Sequence, residues 1–370
     1  MRQYNWQKPD WPHFTYSLSG LEDKLFEFAE KIGRISGILD SLPEDIQQET
    51  LINMMLEEAI KTSEIEGEYI SRQDVLSSIR KNLGLHVSAS MIKDPKAEGL
   101  GQLMIDVRNS FKEPLSIQKL FHWHRMLFVA NDNIMVGNWR THDEPMQVIS
   151  GAIGKEKVHF EAPPSSQVPS EMDRFIHWFN ETKPTGKKPL QNTLVRSAIA
   201  HLYFETIHPF EDGNGRIGRA IAEKSLSQGI NRPVLLSLSD TIEANKRDYY
   251  DALKDGQRSN EVTKWLQYFI DTVLQAQDKA EKQIEFTLQK VKFFDKYELQ
   301  LSERQKKVIN RMLDEGPDGF EGGMNARKYI GITKVSKATA TRDIQQLVDL
   351  GVLVRYGKAG GRSTSYRVNL

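Results

Sequence analysis

The sequence predicts a mainly α-helical protein with one small β-hairpin and a compositionally distinct C-terminal part. Apolar residues recur at helical spacing through most of the chain, whereas β-prone runs flank turns near residues 147–160 and 352–368. The length of 370 residues allows two or three domains. The absence of cysteine excludes disulfides, thiolate metal sites and a cysteine nucleophile.

Charge is balanced overall but unevenly distributed along the chain. Residues 301–370 hold 13 Lys and Arg against 7 Asp and Glu, so a surplus of six positive charges there offsets an equal deficit elsewhere. This asymmetry indicates different functions for the body and the tail. The polar N-terminus lacks the apolar core of a signal peptide, and no segment approaches the roughly 18 apolar residues of a membrane span. We therefore expect a cytoplasmic protein with no membrane partner.

The N-terminal region, residues 1–110, is predicted to be helical after an aromatic arm. The arm, residues 4–14, is rich in aromatic residues and proline, and either packs its rings on the body or binds a partner. Ser71 precedes Asp74 by three residues, a spacing that resembles a capping box and marks a helix start. The other helices predicted here span residues 20–41, 46–62 and 96–109.

The central region, residues 111–280, is predicted to hold further helices and the hairpin. Two β-prone runs, 148–150 and 158–160, flank a turn of glycine and lysine, which predicts a hairpin over residues 147–160. Helices are predicted at residues 116–128, 170–180, 194–207, 216–226, 240–257 and 262–294.

The greatest density of functional side chains lies in the segment HPFEDGNGRIGR, from His208 to Arg219. Pro209 disfavours helical geometry in the residue before it, so the preceding helix should end at His208. A glycine-containing turn then leads into the next helix, whose N-terminal N–H groups and dipole favour an anion. The segment therefore predicts a phosphate site beside a histidine.

The charged residues of this segment suit the handling of a polyphosphate. Arg216 and Arg219 are three residues apart, hence near one face of the helix, and guanidinium groups match phosphate oxygens. Asp212 offers a carboxylate for a Mg²⁺ that also takes phosphate oxygens. His208 is placed to accept a proton from a hydroxyl group. The structural alternative is a capped helix-loop-helix in which the histidine only makes hydrogen bonds within the protein.

The segment resembles the signature of the Fic family and matches every fixed position of it. The similarity extends from about Thr62 to Gln275 and includes Gly137-Asn138-Trp139-Arg140 and the hairpin. It implies a Fic-like helical bundle and a protein adenylyltransferase. Such an enzyme transfers AMP from ATP to a Ser, Thr or Tyr hydroxyl of a target protein, or of itself, and releases pyrophosphate.

The resemblance also implies a role for each site residue. His208 would be the general base, Phe210 would anchor the loop, and Asp212 would hold Mg²⁺. The implied ATP-binding residues are Gly213, Asn214, Gly215, Arg216, Arg219, Tyr203, Asn245 and Tyr250. For Tyr203, Asn245 and Tyr250, a structural role in the core is an equal alternative. Gly215 favours nucleotidyl transfer over phosphorylation, because a phosphorylating relative has a lysine near this point.

The hairpin resembles the flap that docks targets in this family. An extended target segment would pair with it through main-chain hydrogen bonds, a form of strand addition that carries little sequence selectivity. The docking residues implied are Gln147, Val148, Ile149 and Ser150. Read without the resemblance, this segment is a surface hairpin.

A second stretch, Thr62-Ser63-Glu64-Ile65-Glu66-Gly67, resembles the inhibitory pattern of the family. Thr62 and Glu66 are four residues apart, on one helical face, and Gly67 suits a helix end. The resemblance implies an inhibitory helix at about residues 55–67, in which Glu66 pairs with Arg219 and keeps it from the γ-phosphate of ATP. An exposed helix charge is the alternative. A further hypothesis is that Glu66 also positions a water that removes AMP from modified targets.

The C-terminal part follows a predicted helical connector at residues 281–300. Three helices at 302–313, 325–330 and 336–350 and two strands at 352–356 and 365–368 resemble a winged helix-turn-helix over residues 301–370. The candidate DNA contacts are Lys337, Thr339, Thr341 and Arg342, with Lys358 and Arg362 on the wing. Protein docking and homodimer formation are alternatives to DNA. The competing function is a DNA-associated regulator that senses nucleotide with little transfer.

Three histidines are predicted to be structural. His122 and His124 are two residues apart and therefore point to different helix faces, with no third ligand at metal spacing. His201 lies seven residues, about two helical turns, before His208 and is predicted to be a packing or hydrogen-bonding residue.

Overall fold

The computed structural model describes residues 3–85, 92–129, 134–150, 157–356 and 364–370. The chain divides into a larger unit, Met1–Ser36 with Glu44–Ala280, and a smaller unit, Gly37–Pro43 with Glu281–Leu370. Both units are mainly helical, which confirms the predicted fold class. Among the described helices, none is both long enough and apolar enough to cross a lipid bilayer.

The larger unit is built from helices and one strand pair. The helices are α1 (Glu22–Asp40), α2 (Glu44–Ile65), α3 (Arg72–Asn82), α4 (Pro95–Asn109), α5 (Ile117–Leu127), α6 (Val168–Glu181), α7 (Thr193–Ile207), α8 (Asn214–Ile230), α9 (Leu238–Ala244), α10 (Lys246–Gly256) and α11 (Thr263–Tyr297). The ends of α1 and α11 belong to the smaller unit. Strands β1 (Gln147–Ser150) and β2 (Lys157–Glu161) are antiparallel, with an irregularity between Val148 and Ile149. The tip of the predicted hairpin, residues 151–156, lies outside the described residues.

Helix α7 is the central element of the larger unit. Every residue from Leu194 to Ile207 is buried, including the polar side chains of Arg196, His201 and Glu205. It packs along α8 and separates two clusters of core residues, one around Trp123 and Phe175 and the other around Trp265. The site described below lies where α7 ends and α8 begins.

The aromatic arm packs on the body, which was one of its two predicted roles. Trp11 is 8% exposed, and its indole Nε1–H donates to Glu171 at 3.0 Å. Asn5 is fully buried, with its side chain 3.3 Å from the Thr206 hydroxyl. The arm thereby covers the last turns of α7.

Local sequence signals explain several helix ends, and three expectations differ from the structure. Ser71 caps α3 by accepting from the Asp74 N–H, although the Asp74 carboxylate binds the N–H groups of residues 93 and 94 instead of closing the capping box. The helix predicted at 240–257 is broken at Asn245, where φ is −131° and ψ is 42°. The predicted helical connector at 281–300 is helical, because α11 continues to Tyr297 and a short 3-10 helix follows at Glu298–Gln300. Helix α8 begins at Asn214, two residues earlier than predicted.

The smaller unit contains short helices around its own core. They are α12 (Glu303–Leu313), α13 (Ala326–Thr333) and α14 (Lys337–Asp349), with antiparallel strands β3 (Leu353–Tyr356) and β4 (Ser365–Val368). Val308, Tyr329 and Leu347 are fully buried in this core. The two residues predicted on a wing, Lys358 and Arg362, lie outside the described residues.

Candidate active site at the junction of helices α7 and α8

His208 ends α7 in a left-handed backbone conformation, with φ of 50° and ψ of 59°. This conformation is uncommon for a residue other than glycine and persists only where the surroundings hold it. Two residues later the Phe210 ring is fully buried and stacks on His124, with ring centroids 4.2 Å apart. Phe210 therefore fixes the loop that follows the histidine to the core.

Arg140 holds the backbone on both sides of His208. Its Nε–H donates to the His208 carbonyl at 2.8 Å, and its own backbone N–H donates to the Pro209 carbonyl at 3.0 Å. One guanidinium nitrogen also reaches the Ile207 and Pro163 carbonyls, at 3.2 and 2.6 Å. These bonds satisfy carbonyls that the end of α7 leaves without helical partners. Sequence reasoning included Arg140 in a family motif but assigned it no role.

The turn before α8 requires glycine and is closed by an amide. Gly213 has φ of 81°, and a Cβ there would lie 2.7 Å from the Phe128 ring. The Asn214 side chain accepts from the Phe210 N–H at 2.9 Å and donates to its carbonyl at 2.8 Å. The Asn214 side chain therefore closes the loop, which leaves only its backbone N–H for the predicted contact with an anion.

Both arginines of α8 are bound by residues at the end of α2. Arg219 is 1% exposed, and its Nε–H donates to the Thr62 hydroxyl at 2.7 Å. Its Nη2 donates to the Thr62 carbonyl at 2.9 Å and to Glu66 at 2.8 Å. Arg216 is bound by Glu68, with Nη1 and Oε2 2.5 Å apart. Sequence reasoning missed Glu68, whose only signal was its position two residues after Glu66.

The Glu66 carboxylate lies against the glycine at the start of α8. A Cβ on Gly215 would be 2.2 Å from Glu66 Oε1, so the close approach depends on the glycine. Burial by itself would raise the pKa of Glu66, but the charge and hydrogen bond of Arg219 outweigh it and lower the pKa. A carboxylate of the chain therefore occupies the helix N-terminus that the sequence predicts to bind an anion. Gly67 follows with φ of 79°, a left-handed helix end.

His208 is neutral near pH 7. Its side chain is 15% exposed, and burial, together with the charge of Arg140, lowers its pKa to about 4. The Nδ1 atom lies 3.7 Å from the Glu205 carboxylate, one turn earlier on α7. An uncharged imidazole has a lone pair available, so His208 is chemically able to act as a general base.

Asp212 is held by its backbone and points its carboxylate outward. The His124 Nδ1 accepts from the Gly137 N–H at 2.9 Å, so its Nε2–H is the donor to the Asp212 carbonyl at 3.2 Å. Burial lowers the pKa of His124 to about 4, and the histidine therefore links two loops in its neutral form, a structural role. The Asp212 side chain is 56% exposed, with Oδ1 3.6 Å from Arg216.

Three residues that the resemblance assigns less firmly to nucleotide binding, Tyr203, Asn245 and Tyr250, differ in exposure and contacts. Tyr203 is 1% exposed, and its ring packs edge-on against Trp11 and Phe175, at 5.0 and 5.1 Å, which are the contacts of a core residue. Asn245 is exposed at the junction of α9 and α10. Tyr250 is 38% exposed, with its hydroxyl 3.5 Å from the Ile65 carbonyl at the end of α2.

The remaining predicted residues lie apart from this junction. Gln147 and Val148 pair with Glu161 and Phe160 in the hairpin, and the backbones of Ile149 and Ser150 continue the same pairing. His201 is fully buried and lies 2.9 Å from the Tyr249 hydroxyl, a packing role. In the smaller unit, Lys337, Thr341 and Arg342 are exposed on α14, and Thr339 is half-buried.

Comparisons with known protein families match two separate segments of the chain. A family model described as Fic/DOC family matches residues 114–226, and one described as Domain of unknown function (DUF4172) matches residues 4–85. A probable protein adenylyltransferase of Aquifex aeolicus is 30% identical over 98 residues, which are 26% of this chain and 27% of that protein. The protein adenylyltransferase Fic of Nematostella vectensis is 22% identical over 174 residues, 46% of this chain and 36% of that protein. The chain thus spans well under half the length of these curated relatives.

Solved structures share the fold of this chain. A Fic family protein from Desulfovibrio desulfuricans has a TM-score of 0.53 and 19% identity, over 97% of this chain and 98% of that one. A Fic domain containing signaling protein from Bacteroides thetaiotaomicron has a TM-score of 0.53 and 17% identity, over 72% of this chain and 97% of that one. Residues 114–226 are therefore a Fic/DOC domain.

Proposed function

We propose that this chain is a nucleotidyltransferase that moves AMP from ATP to a hydroxyl group of a target protein and is held inactive by Glu66. The observation that carries the proposal is the Arg219 guanidinium bound by Thr62 and Glu66 at the N-terminus of α8. A site that holds a carboxylate there suits a phosphate when the carboxylate leaves. Curated relatives of the matched segment are named protein adenylyltransferases.

The chemistry follows from the groups at the helix junction. The hydroxyl oxygen attacks the α-phosphorus of ATP, the bond from that phosphorus to the α,β-bridging oxygen breaks, and pyrophosphate leaves. His208 accepts the hydroxyl proton at Nε2. Backbone N–H groups at Asn214 and Gly215, in the first turn of α8, stabilise the charge on the transferring group. Such stabilisation is the largest catalytic contribution in sites of this kind.

Asp212 fits a magnesium ion that arrives with the nucleotide. Mg²⁺ is held by one or two carboxylates together with phosphate oxygens and water. The half-exposed Asp212 carboxylate supplies one such ligand, and among the described residues no group of three or more acids and histidines forms a complete metal site. Bound there, Mg²⁺ would neutralise charge on the leaving pyrophosphate.

The proposed inhibition acts through two ion pairs. While Glu66 binds Arg219, the γ-phosphate has no partner, so ATP is poorly oriented for attack on its α-phosphorus. Glu68 occupies Arg216 in the same way. Because both acids follow the last turn of α2, movement of that helix end would free both arginines together.

The target is proposed to be a protein that pairs with the hairpin. Strands β1 and β2 form a two-stranded sheet, and a third extended strand can add to a free edge by main-chain hydrogen bonds. Such pairing would present a Ser, Thr or Tyr hydroxyl beside the site. We propose DNA as a partner of the smaller unit, through the exposed Lys337 and Arg342 of α14.

The test compares ATP labelled at the α-phosphate with ATP labelled at the γ-phosphate, using lysate and the full-length protein. We expect Glu66→Gly to place the α-label, but not the γ-label, on protein with release of pyrophosphate, and His208→Ala to abolish the labelling. Glu66→Gly that binds ATP without releasing pyrophosphate would instead favour a nucleotide-sensing regulator. AMP removal is tested by incubating an AMP-modified target with wild type or with Glu66→Gly. If Glu66 supports removal, wild type releases more AMP than Glu66→Gly does.

A further inference from the structure

The buried acid Glu205 lies beside the proposed base but has no part in the chemistry above. It is 4% exposed, and its Oε1 makes no hydrogen bond with any described residue. Its Oε2 lies 3.7 Å from Nδ1 of His208, and that nitrogen is itself buried without a hydrogen bond of good geometry in the described chain. The carboxyl group of Glu205 therefore faces the buried Nδ1 of His208 across a gap longer than a hydrogen bond. The backbone carbonyl of Glu205 is a second acceptor near the same nitrogen.

The packing of α8 leaves room for this carboxyl group. A Cβ on Gly218 would lie 2.2 Å from Glu205 Oε1, so only glycine at this position lets α8 pass so close. Leaving a buried acid without partners costs free energy of about 1–3 kcal/mol. The acid is expected to have a function that offsets this cost.

We propose that Glu205 is a positioning residue for His208, whose carboxylate accepts the imidazole Nδ1–H and leaves the Nε2 lone pair directed at the substrate hydroxyl. The tautomer of an imidazole is set by the hydrogen bond that its other nitrogen makes. When His208 takes the hydroxyl proton at Nε2, the Nδ1 proton stays in place and the carboxylate stabilises the resulting imidazolium. This inference rests on the proposed AMP transfer.

The charged and titratable groups around Glu205 determine when it is ionised. They come from α7 itself (His201 and His208), from α8 (Arg219), from the end of α2 (Glu66) and from α10 (Tyr249 and Tyr250). Burial raises the pKa of Glu205 to about 8, Arg219 opposes the rise, and Glu66 adds to it.

The ionisation of Glu205 and that of His208 affect the transfer rate in different pH ranges. The negative charge of Glu66 contributes to the raised pKa of Glu205. Without Glu66 that pKa is lower, so Glu205 ionises at lower pH in Glu66→Gly than in wild type. His208, with a pKa of about 4, is already neutral throughout that range. A rise in rate between pH 6.5 and about 8 is therefore assigned to Glu205.

The kinetic test uses Glu205→Gln in the Glu66→Gly protein, because glutamine keeps the volume but not the charge. The control is Glu223→Gln in the same background, since burial raises the pKa of Glu223 to about 8 as well, beside Glu58 and Arg108. We expect Glu205→Gln to lower kcat by about tenfold or more and to flatten the rise with pH, with KM for ATP unchanged. A rate and profile equal to those of Glu223→Gln would overturn the proposal.

A second measurement decides the inference even if Glu66→Gly transfers no AMP, an outcome that would count against the proposed function alone. In histidine-labelled Glu66→Gly protein, the NMR resonance of the His208 Nδ1–H should move downfield as Glu205 ionises above pH 6.5. In Glu205→Gln it should stay constant. An Nδ1–H resonance that does not respond to pH in Glu66→Gly refutes the pairing, and this result needs no Glu205 variant to fold.

Discussion

At the residue scale, the candidate site depends on buried polar side chains that fix the backbone. Arg140 is 1% exposed and binds carbonyls on both sides of the strained His208. Desolvation lowers its pKa to about 10, which still leaves it charged at neutral pH. Its bonds compensate for the left-handed geometry at His208.

Arg140→Met should therefore destabilise the larger unit. Each buried carbonyl left without a donor costs about 1–3 kcal/mol, so we expect a loss of about 3 kcal/mol or more in the free energy of unfolding. Urea unfolding followed by tryptophan fluorescence measures it. Arg247→Met is the control, because Arg247 is 93% exposed in its ion pair with Asp251. Equal stability of the two variants would contradict the role given to Arg140.

At the element scale, the end of α2 brings two acids to two arginines. Glu66 and Glu68 lie just beyond Ile65, the last helical residue, and the turn at Gly67 aims both carboxylates at α8. Separately, the break at Asn245 divides α9 from α10 and lets the Tyr250 hydroxyl approach the Ile65 carbonyl.

Glu68→Gln should strengthen ATP binding once Glu66 has been removed. Arg216 would lose its carboxylate partner and be free for phosphate, so the Kd for ATP in Glu66→Gly should fall a further few-fold, within the range of partly exposed ion pairs of about 0–1 kcal/mol. Calorimetric titration measures the change. Glu64→Gln is a matched control, because Glu64 pairs with Lys61 on the same helix. An identical Kd in both double variants would rule out inhibition of ATP binding by the Glu68–Arg216 ion pair.

At the scale of the whole molecule, buried titratable groups set the pH at which the larger unit is most stable. Burial lowers the pKa of His124, His201 and His208 to about 4, so the unfolded state binds more protons between that value and about 6.5, and stability falls as pH falls through this window. Burial raises the pKa of Glu205 and Glu223 to about 8, so stability falls as pH rises towards 8.

The free energy of unfolding contributed by these five groups should peak near pH 6.5. Below that pH the three histidines outweigh the two acids, and above it the acids act alone. All six tryptophans lie in the larger unit, so their fluorescence during urea unfolding at pH 5, 6.5 and 8 reports on it. Glu223→Gln should reduce the loss of stability between pH 6.5 and 8, and an unchanged dependence of stability on pH would argue against a neutral Glu223 in the folded state.

DNA binding by the smaller unit makes a separate whole-molecule prediction. If Lys337 and Arg342 contact phosphates, affinity for duplex DNA should fall steeply with salt, and each lost contact should reduce the slope of log K against log salt by about one. Electrophoretic shifts of wild type and Lys337→Gln across a salt series measure this. Lys279→Gln serves as the control, because Lys279 pairs with Asp240 in the larger unit. Binding without salt dependence would exclude a phosphate-led interface.

The sequence by itself determined the helical class, most helix bounds and the chemistry of the motif. Periodicity places α2, α4 and α7 within a few residues, because each carries its own apolar pattern. The density of charged residues and glycine from His208 to Arg219 predicts an anion site without any tertiary information. These properties are local, so neighbouring residues suffice to specify them.

Only the tertiary structure decided which distant residues meet at that motif. Glu205 and Glu68 carry no distinguishing sequence pattern, and the motif that contains Arg140 gave that residue no role. The importance of the three residues arises from contacts across tens to hundreds of residues or from burial. The pKa values of His208 and Glu205 likewise depend on burial that no local pattern records. Tyr203 shows the converse, since its position near the motif suggested the nucleotide whereas packing placed its ring among Trp11 and Phe175. Spacing specifies which groups a segment offers, but the packing of helices determines which of them face each other.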